Sequence, residues 1–380
     1  MNERHAEPAS LAARLRDRIR REGPISFRDW MAAALYDERE GYYRRADRAR
    51  WGPAGDYRTS AERSPLFPAA FAAYFAALFG ELGSPPAWTI VEAGAGAGDF
   101  AGGVLGALRD WFPHVYSATQ YIIDEVSDAA RAQAREKLLA HAQRVSYCPL
   151  HGIKPRLDPG IIFSNELLDA LPAHRVMMRG GQLRELFVGV DADGAFIWVE
   201  AELSTPRLGA YFDQTGWSLV EGQMAEVNLE AQDWMARAAS ALRRGFLITV
   251  DYGAEAEELY GAPHRRQGTL RAFHQHRIAS DPLARPGEQD LTASVNWTAI
   301  KNAGAAAGLE TVSFERLDRF LLRAGLLDHL ERMAARAPDE AARTALRLGA
   351  REMILPGGMA QSFQVLIQKK TQGAGFTAET

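Results

Sequence analysis

One glycine-rich stretch has the composition of a ligand-binding turn. The letters VEAGAGAGDF place Glu92 before three glycines, Gly94, Gly96 and Gly98, and Asp99 follows them. Glycines let the backbone bend tightly and approach a ligand, and the start of a following helix offers free N–H groups to an anion. The dinucleotide fingerprint is G-x-G-x-x-G, whereas the spacing here is G-x-G-x-G followed by an acid. This pattern favours a cofactor that carries a carboxylate, an amine and a positive sulfur over a diphosphate. A tight turn in an α/β domain that binds no nucleotide is the alternative.

A second acidic position follows the next strand-like segment. An acid at the end of the second strand commonly accepts hydrogen bonds from ribose hydroxyls. Glu125 fits this role, about 30 residues after Gly94 where the dinucleotide pattern has roughly 20. Asp124 is its neighbour, and strand alternation predicts that its side chain lies on the opposite face. The residues alone favour Glu125 and leave Asp124 open.

A third group of polar residues follows the apolar segment IIFS. Ligands of open α/β sheets bind outside the carboxyl ends of strands, so Asn165, Glu166 and Asp169 are candidates to border a reaction site. A helical turn would put Glu166 and Asp169 on one face. Two acids suit a cationic acceptor such as arginine, whose guanidinium must lose a proton before its nitrogen can react. Alternatively, one of them caps a helix. Asp251, at the end of a later strand, is a further candidate for the rim or a turn residue.

Polar side chains also concentrate late in the chain, within a long insertion. His274, His276, Glu288 and Asp290 lie there, and their roles stay undecided. A surface position is the simpler interpretation for both histidines, because the sequence contains no H-E-x-x-H helix. We therefore predict no metal site.

Alternating strands and helices must position these residues. Strand-length apolar segments alternate with helical stretches, which predicts a mostly parallel sheet with helices on both faces. The strand segments are 88–93, 121–126, 145–148, 161–164 and 246–250, and 310–314 and 363–368 follow near the end of the chain. The predicted segments are a helical N-terminal region with a loop over the site (1–84), the first part of the core (85–172), a β-containing insertion (173–244), a core strand (245–253), a lid-like insertion (254–297), the C-terminal part of the core (298–370) and a flexible tail (371–380).

Composition excludes several classes of protein. The chain has 380 residues, 47% of them hydrophobic, and a formal net charge of -4, which disfavours nucleic acid as a partner. A lone cysteine, Cys148, forms no intramolecular disulfide, and no apolar run reaches the roughly 20 residues of a membrane helix. The first residues lack the apolar core of a signal peptide. These features predict a cytoplasmic protein without a membrane span, and they leave the oligomeric state open.

Several motifs in a fixed order resemble the MidA-like methyltransferase family, whose mitochondrial members dimethylate a protein arginine and assist assembly of respiratory complex I. The similarity covers roughly residues 23–370. It departs from the family pattern at Ala61, at Ala93 and in the looser segment 356–361. The motifs are GDYRTSAERSPLF, VEAGAGAG, DEVS, SNELLDALP, VDYG, GTLRAFHQHR and PGEQDLTASVNW.

The resemblance implies a class I methyltransferase, with a Rossmann-like, seven-stranded, mostly parallel sheet and S-adenosylmethionine as cofactor. By this match Gly94, Gly96 and Gly98 line the cofactor and Glu125 holds its ribose, while Asn165, Glu166 and Asp169 border the transfer site. Glu92 completes the predicted cofactor set.

The working hypothesis is methylation of an arginine in a protein substrate, such as a respiratory complex I subunit. Alternatives are methylation of a small molecule and an assembly factor that keeps the fold without catalysis. Methylation of a nucleic-acid base is disfavoured, because Asn-Glu-Leu-Leu stands at 165–168 where many such enzymes have an Asn/Asp-Pro-Pro-aromatic tetrapeptide. The acceptor and the number of methyl groups transferred are not determined by the sequence.

Overall fold

The computed structural model describes residues 9–45, 64–274, 277–355 and 359–371. Helices form where apolar residues recur at helical spacing, and several begin at side-chain caps such as Ser26 and Asn296. The helices are α1 (Leu11–Glu22), α2 (Phe27–Tyr36), α3 (Leu66–Glu81), α4 (Asp99–Trp111), α5 (Pro113–Ala118), α6 (Asp128–Lys137), α7 (Arg207–Thr215), α8 (Leu229–Ala241), α9 (Ala256–Gly261), α10 (Trp297–Ala306), α11 (Leu317–Arg323), α12 (Leu326–Arg336) and α13 (Glu340–Ile354).

Seven of the strands overlap the strand segments listed from the sequence, and the others lie elsewhere in the chain. In chain order the strands are β1 (Ile25–Ser26), β2 (Trp88–Ala93), β3 (Thr119–Asp124), β4 (Val145–Tyr147), β5 (Gly160–Asn165), β6 (His174–Arg179), β7 (Gln182–Val190), β8 (Phe196–Ala201), β9 (Met224–Val227), β10 (Gly245–Ala254), β11 (Arg271–His274), β12 (Arg277–Ile278), β13 (Asp290–Thr292), β14 (Val295–Asn296), β15 (Glu310–Arg316) and β16 (Phe363–Lys370).

The chain divides into two compact units. Of the described residues, the first unit holds 9–45, 170–230, 255–274 and 277–294, and the second holds the rest. This division differs from the segments proposed from the sequence. Strand β1 of the N-terminal region pairs with β7 of the proposed insertion, whereas α3 and most of α8 belong to the second unit.

The second unit contains a mixed sheet in the order β15-β16-β10-β5-β2-β3-β4, and the short β14 pairs with β10. Neighbouring strands from β10 to β4 are parallel, and β16 is antiparallel to both β10 and β15. The described part of this sheet therefore has eight strands rather than seven. It is an α/β sheet whose adjacent β10, β5, β2 and β3 end at the same edge.

Aromatic packing fixes one face of this sheet. Phe100, near the start of α4, stacks on Phe163 of β5 with ring centroids 4.3 Å apart, and Phe71 and Phe75 of α3 pack around the pair. All four side chains are buried. Because Phe100 lies two residues after Gly98 and Phe163 two residues before Asn165, this stack ties the glycine-rich turn to the end of β5.

The first unit has two sheets of its own. One has the order β1-β7-β6-β9 with β8 beside β7, and the other has the order β12-β11-β13. The β7–β8 hairpin turns at residues 191–195, where Asp191 N–H donates to the carbonyl of Ala195. The part of the predicted lid-like insertion (254–297) that lies in this unit contains α9, β11, β12 and β13.

Candidate active site

The glycine-rich turn follows β2 and leads directly into α4. Gly94, Gly96 and Gly98 have φ values of +71°, +54° and +81°, a region that suits glycine. The N–H of Gly94 donates to the carbonyl of Asp124 at 2.8 Å. A Cβ atom on Gly94 would lie 3.1 Å from Cδ1 of Leu167. The turn therefore requires residues without side chains both for its backbone angles and for its approach to the loop after β5.

Glu125 is the acid that reaches this turn. Its Oε2 accepts a hydrogen bond from the N–H of Gly96 at 2.8 Å, and its Oε1 accepts one from Ser127 N–H at 2.7 Å. Strand β3 ends at Asp124, two residues before the predicted end, so Glu125 lies outside the strand. The expectation that strand alternation places Asp124 and Glu125 on opposite faces is therefore wrong. Asp124 instead accepts a hydrogen bond from the backbone of Leu150, and burial raises its pKa.

Glu92 lies at the penultimate position of β2 and is buried. The hydroxyl of Tyr121 donates to its Oε2 at 2.6 Å. Burial raises the pKa of Glu92 to about 8, against the opposing effect of the Tyr121 hydrogen bond, and the nearby carboxylates of Glu125 and Asp99 add to the rise. The side chain is thus mostly protonated at neutral pH.

Asp99, the first residue of α4, forms an ion pair that the sequence did not suggest. Nζ of Lys137 on α6 lies 2.6 Å from its Oδ2. This lysine offsets the charge of Asp99, so Asp99 by itself does not exclude a diphosphate. The glycine spacing is the feature that separates this turn from the dinucleotide pattern.

The loop after β5 is not the helical turn expected from the sequence. Glu166 has a φ of +52°, and its N–H donates to the carbonyl of Val250 at 2.9 Å. A left-handed conformation is uncommon for a residue with a side chain and costs on the order of 1 kcal/mol or more. Asn165 Nδ2 donates to Oε1 of Glu166 at 3.1 Å. Because no helix begins here, neither Glu166 nor Asp169 acts as a helix cap.

Asp251 of β10 shapes this loop from beneath. The side chain is fully buried, and its Oδ2 accepts hydrogen bonds from the N–H groups of Leu168 (2.9 Å) and Asp169 (3.3 Å). Its Oδ1 accepts a third from Tyr252 N–H at 2.9 Å. Burial raises the pKa of Asp251 well above its usual value, and the nearby carboxylates of Asp169 and Glu166 contribute. Asp251 is thus an anchor under the loop rather than part of its rim.

Two of these loops lie side by side in the second unit. Ala93 pairs with Ser164 in the parallel register of β2 and β5, so the glycine-rich turn and the 165–169 loop leave the same edge of the sheet. Asn165 Oδ1 is buried and accepts no hydrogen bond within the described parts of the chain. It fits an N–H donor supplied by a ligand.

The late polar residues lie in the first unit. His274 Nδ1 contacts the carbonyl of Glu288 at 2.9 Å, and Asp290 accepts a 2.7 Å hydrogen bond from the Tyr43 hydroxyl. His276, and nearly all of the loop expected over the site at 41–64, lie outside the described residues. Within the described ranges, no three His, Cys, Asp or Glu side chains are arranged to hold a metal ion, and no helix is long and apolar enough to cross a membrane.

Comparison with known proteins shows which α/β family has this arrangement. The sequence model of a family described as putative S-adenosyl-L-methionine-dependent methyltransferases matches residues 70–315. The chain belongs to this methyltransferase family. The MidA-like resemblance seen in the motifs is confirmed, and S-adenosylmethionine is the cofactor of the family.

Solved and curated relatives of this methyltransferase agree. A likely methyl transferase from Burkholderia thailandensis, crystallised with S-adenosyl-homocysteine, is 30% identical with a TM-score of 0.83, covering 95% of this chain and 92% of that one. The mitochondrial protein arginine methyltransferase NDUFAF7 homolog of Drosophila melanogaster is 28% identical over 79% of this chain and 71% of its own length. The mouse protein arginine methyltransferase NDUFAF7 is 25% identical over 91% and 81%.

The residues present fit the cofactor of a methyltransferase. The turn at 94–98 leaves its backbone uncovered by side chains at its three glycines, directly after β2. The carboxylate of Glu125 lies at that turn. Asn165 Oδ1 is a buried acceptor without a partner among the described residues. Sequence reasoning missed Tyr121, Lys137 and the anchoring role of Asp251. Only Tyr121 left a signal in the sequence. It lies two residues before Ile123 on β3, so both side chains lie on the same face of the sheet, and Ile123 pairs with Glu92.

Proposed function

We propose that this methyltransferase acts on arginine side chains of a protein. The observation that carries the proposal is the pair of acids Glu166 and Asp169, in the loop that Asp251 anchors next to the glycine-rich turn. Such a group attracts a cation and repels phosphate. The names of the Drosophila and mouse relatives support the same substrate class.

In this proposal the residues of the 165–169 loop prepare the acceptor. S-adenosylmethionine, when bound by the turn at 94–98 and by Glu125, supplies a methyl group activated by a positive sulfur. Glu166 and Asp169 hold the guanidinium by charge-assisted hydrogen bonds and orient one nitrogen. As that nitrogen gains the methyl group it loses a proton, which one of the two carboxylates accepts. Asn165 steadies Glu166 through its amide group.

The test is methyl transfer from radiolabelled cofactor to proteins of a cell lysate by the purified full chain. The proposal expects labelled protein bands in which mass spectrometry finds methylarginine. Glu166→Gln should keep cofactor binding and lose transfer, whereas Glu136→Gln, an exposed glutamate on α6, should behave as wild type. Label confined to small molecules would support the small-molecule alternative. Cofactor binding without any label would support the assembly-factor alternative.

The identity of the methyl acceptor and the cellular compartment of the protein are further parts of this proposal. A respiratory complex I subunit, which the family resemblance suggests, is the first candidate to test. The curated relatives are named mitochondrial proteins, whereas the sequence predicts a cytoplasmic one. Mass spectrometry of methylarginine in cells with and without the gene would identify the acceptor.

A further inference from the structure

A polar pocket lies entirely within the first unit, between the β11–β12 hairpin and the turn that follows it. It is open to solvent and has a volume of about 640 Å³, which is in the size range of small-ligand sites. Three basic residues contribute to its lining, His274, Arg277 and Arg285. We call it the 274–289 pocket, and none of its lining residues was assigned a role in methyl transfer above.

Hydrogen bonds hold the walls of the pocket together. His274 and Arg277 are cross-strand partners in the hairpin, so their side chains are neighbours on one face. His274 Nδ1 donates to the Glu288 carbonyl at 2.9 Å, which ties the hairpin to the turn. Gln289, which is buried, donates from Nε2 to the carbonyl of Asp281 at 3.3 Å and closes the turn on itself. The pocket is therefore a built feature of this unit.

The charges of the pocket favour an anion. The side chains of Arg277 and Arg285 are exposed, and neither forms an ion pair with any residue that the structure describes. Among the described lining residues the acidic one is Asp281, which accepts a hydrogen bond from Leu283 N–H at 2.9 Å. The two guanidinium groups and one carboxylate of these described residues sum to a charge near +1, which matches one carboxylate better than a phosphate dianion. Guanidinium forks also bind carboxylates in a bidentate manner.

Apolar groups stand beside these charges. Ile278, next to Arg277 in β12, is 71% exposed and lines the pocket together with Ala279 and Ala284. We infer that the 274–289 pocket binds the carboxylate of an acidic residue that has an aliphatic neighbour in a peptide segment of a partner protein. The inference rests on the proposed function in one respect, since it takes the methyl acceptor to be a protein.

Calorimetry with the full chain tests this inference without methyl transfer. The probe is a capped pentapeptide, acetyl-Gly-Leu-Glu-Leu-Gly-amide, and its control has Gln in place of Glu. We expect the Glu peptide to bind about tenfold more tightly than the Gln peptide, and the double variant Arg277→Ala/Arg285→Ala to lose about that factor. Arg21→Ala, at an exposed arginine on α1 that pairs with Glu22 and lies outside the pocket lining, is the control and should bind as wild type. Arg285→Glu should shift the preference toward the peptide with Lys in place of Glu.

Three results would overturn the inference. They are equal binding of the Glu and Gln peptides, unchanged binding by the double variant, and binding of inorganic phosphate without binding of the Glu peptide. The last result would make the pocket a phosphate site. S-adenosyl-homocysteine affinity, measured in parallel, should be the same in all variants. A failed peptide titration with intact cofactor binding rejects the pocket alone, whereas failed methyl transfer with intact peptide binding rejects the proposed function alone.

Discussion

Oε2 of Glu125 accepts a 2.8 Å hydrogen bond from the backbone N–H of Gly96. This contact joins the acid after β3 to the middle of the glycine-rich turn after β2. The same carboxylate also accepts a hydrogen bond from Ser127 at the start of α6. Glu125 therefore holds the turn in place, and the family resemblance predicts that it also binds the ribose of the cofactor.

Replacing Glu125 with alanine should weaken cofactor binding strongly. The variant loses the hydrogen bond to Gly96 and the proposed contacts to the ribose, which together correspond to a roughly 10- to 100-fold increase in the dissociation constant of S-adenosyl-homocysteine. Isothermal titration calorimetry measures this value. Glu136→Ala on α6 serves as the matched control. An unchanged affinity for Glu125→Ala would remove this residue from the cofactor site.

Asp251→Asn should disturb the 165–169 loop more than the cofactor site. An amide has one oxygen where the carboxylate uses two to accept three N–H groups, so at least one buried donor loses its partner. We expect a cost of about 1–3 kcal/mol in the free energy of unfolding, measured with urea. We also expect a lower kcat with little change in S-adenosyl-homocysteine affinity. Asp213→Asn, at an exposed position of α7, is the control. Wild-type stability and kcat in Asp251→Asn would show that the anchor is dispensable.

Glu92 should make stability depend on pH. Its pKa is about 8 in the folded chain and near 4.5 when exposed. Between these values the folded state binds more protons than the unfolded state, so the free energy of unfolding falls as pH rises and levels off above about 8. Relative to Glu92→Gln, the wild type should lose up to about 1.4 kcal/mol per pH unit in this window. Tyr121→Phe should extend the window upward, because it removes the hydrogen bond that favours the charged form. Parallel curves for wild type and Glu92→Gln would contradict a raised pKa.

Much of the fold could be predicted because its signals are local. Strand β2 has the bounds read from its apolar run, and the glycine spacing marked the turn correctly. What could not be predicted depends on contacts between distant segments. The left-handed Glu166 donates its N–H to the carbonyl of Val250, and Asp251 holds the following residues of the loop. The Asp99–Lys137 ion pair joins two helices. The raised pKa of Glu92 arises from burial of its side chain. The spacing of apolar residues in the sequence predicts burial of those residues but not of a glutamate among them.

Binding of S-adenosyl-homocysteine to the purified chain and to Gly96→Val tests the central claim most directly. We predict saturable binding by the wild type and none by the variant, because a branched side chain would be placed at a residue with φ of +54° beside the Glu125 carboxylate. Gly106→Val, where a Cβ on α4 meets no atom within 4 Å, should bind as the wild type does. Thermal unfolding of all three proteins confirms that each is folded. Equal affinity of a folded Gly96→Val and the wild type would contradict the assignment of the cofactor to this turn.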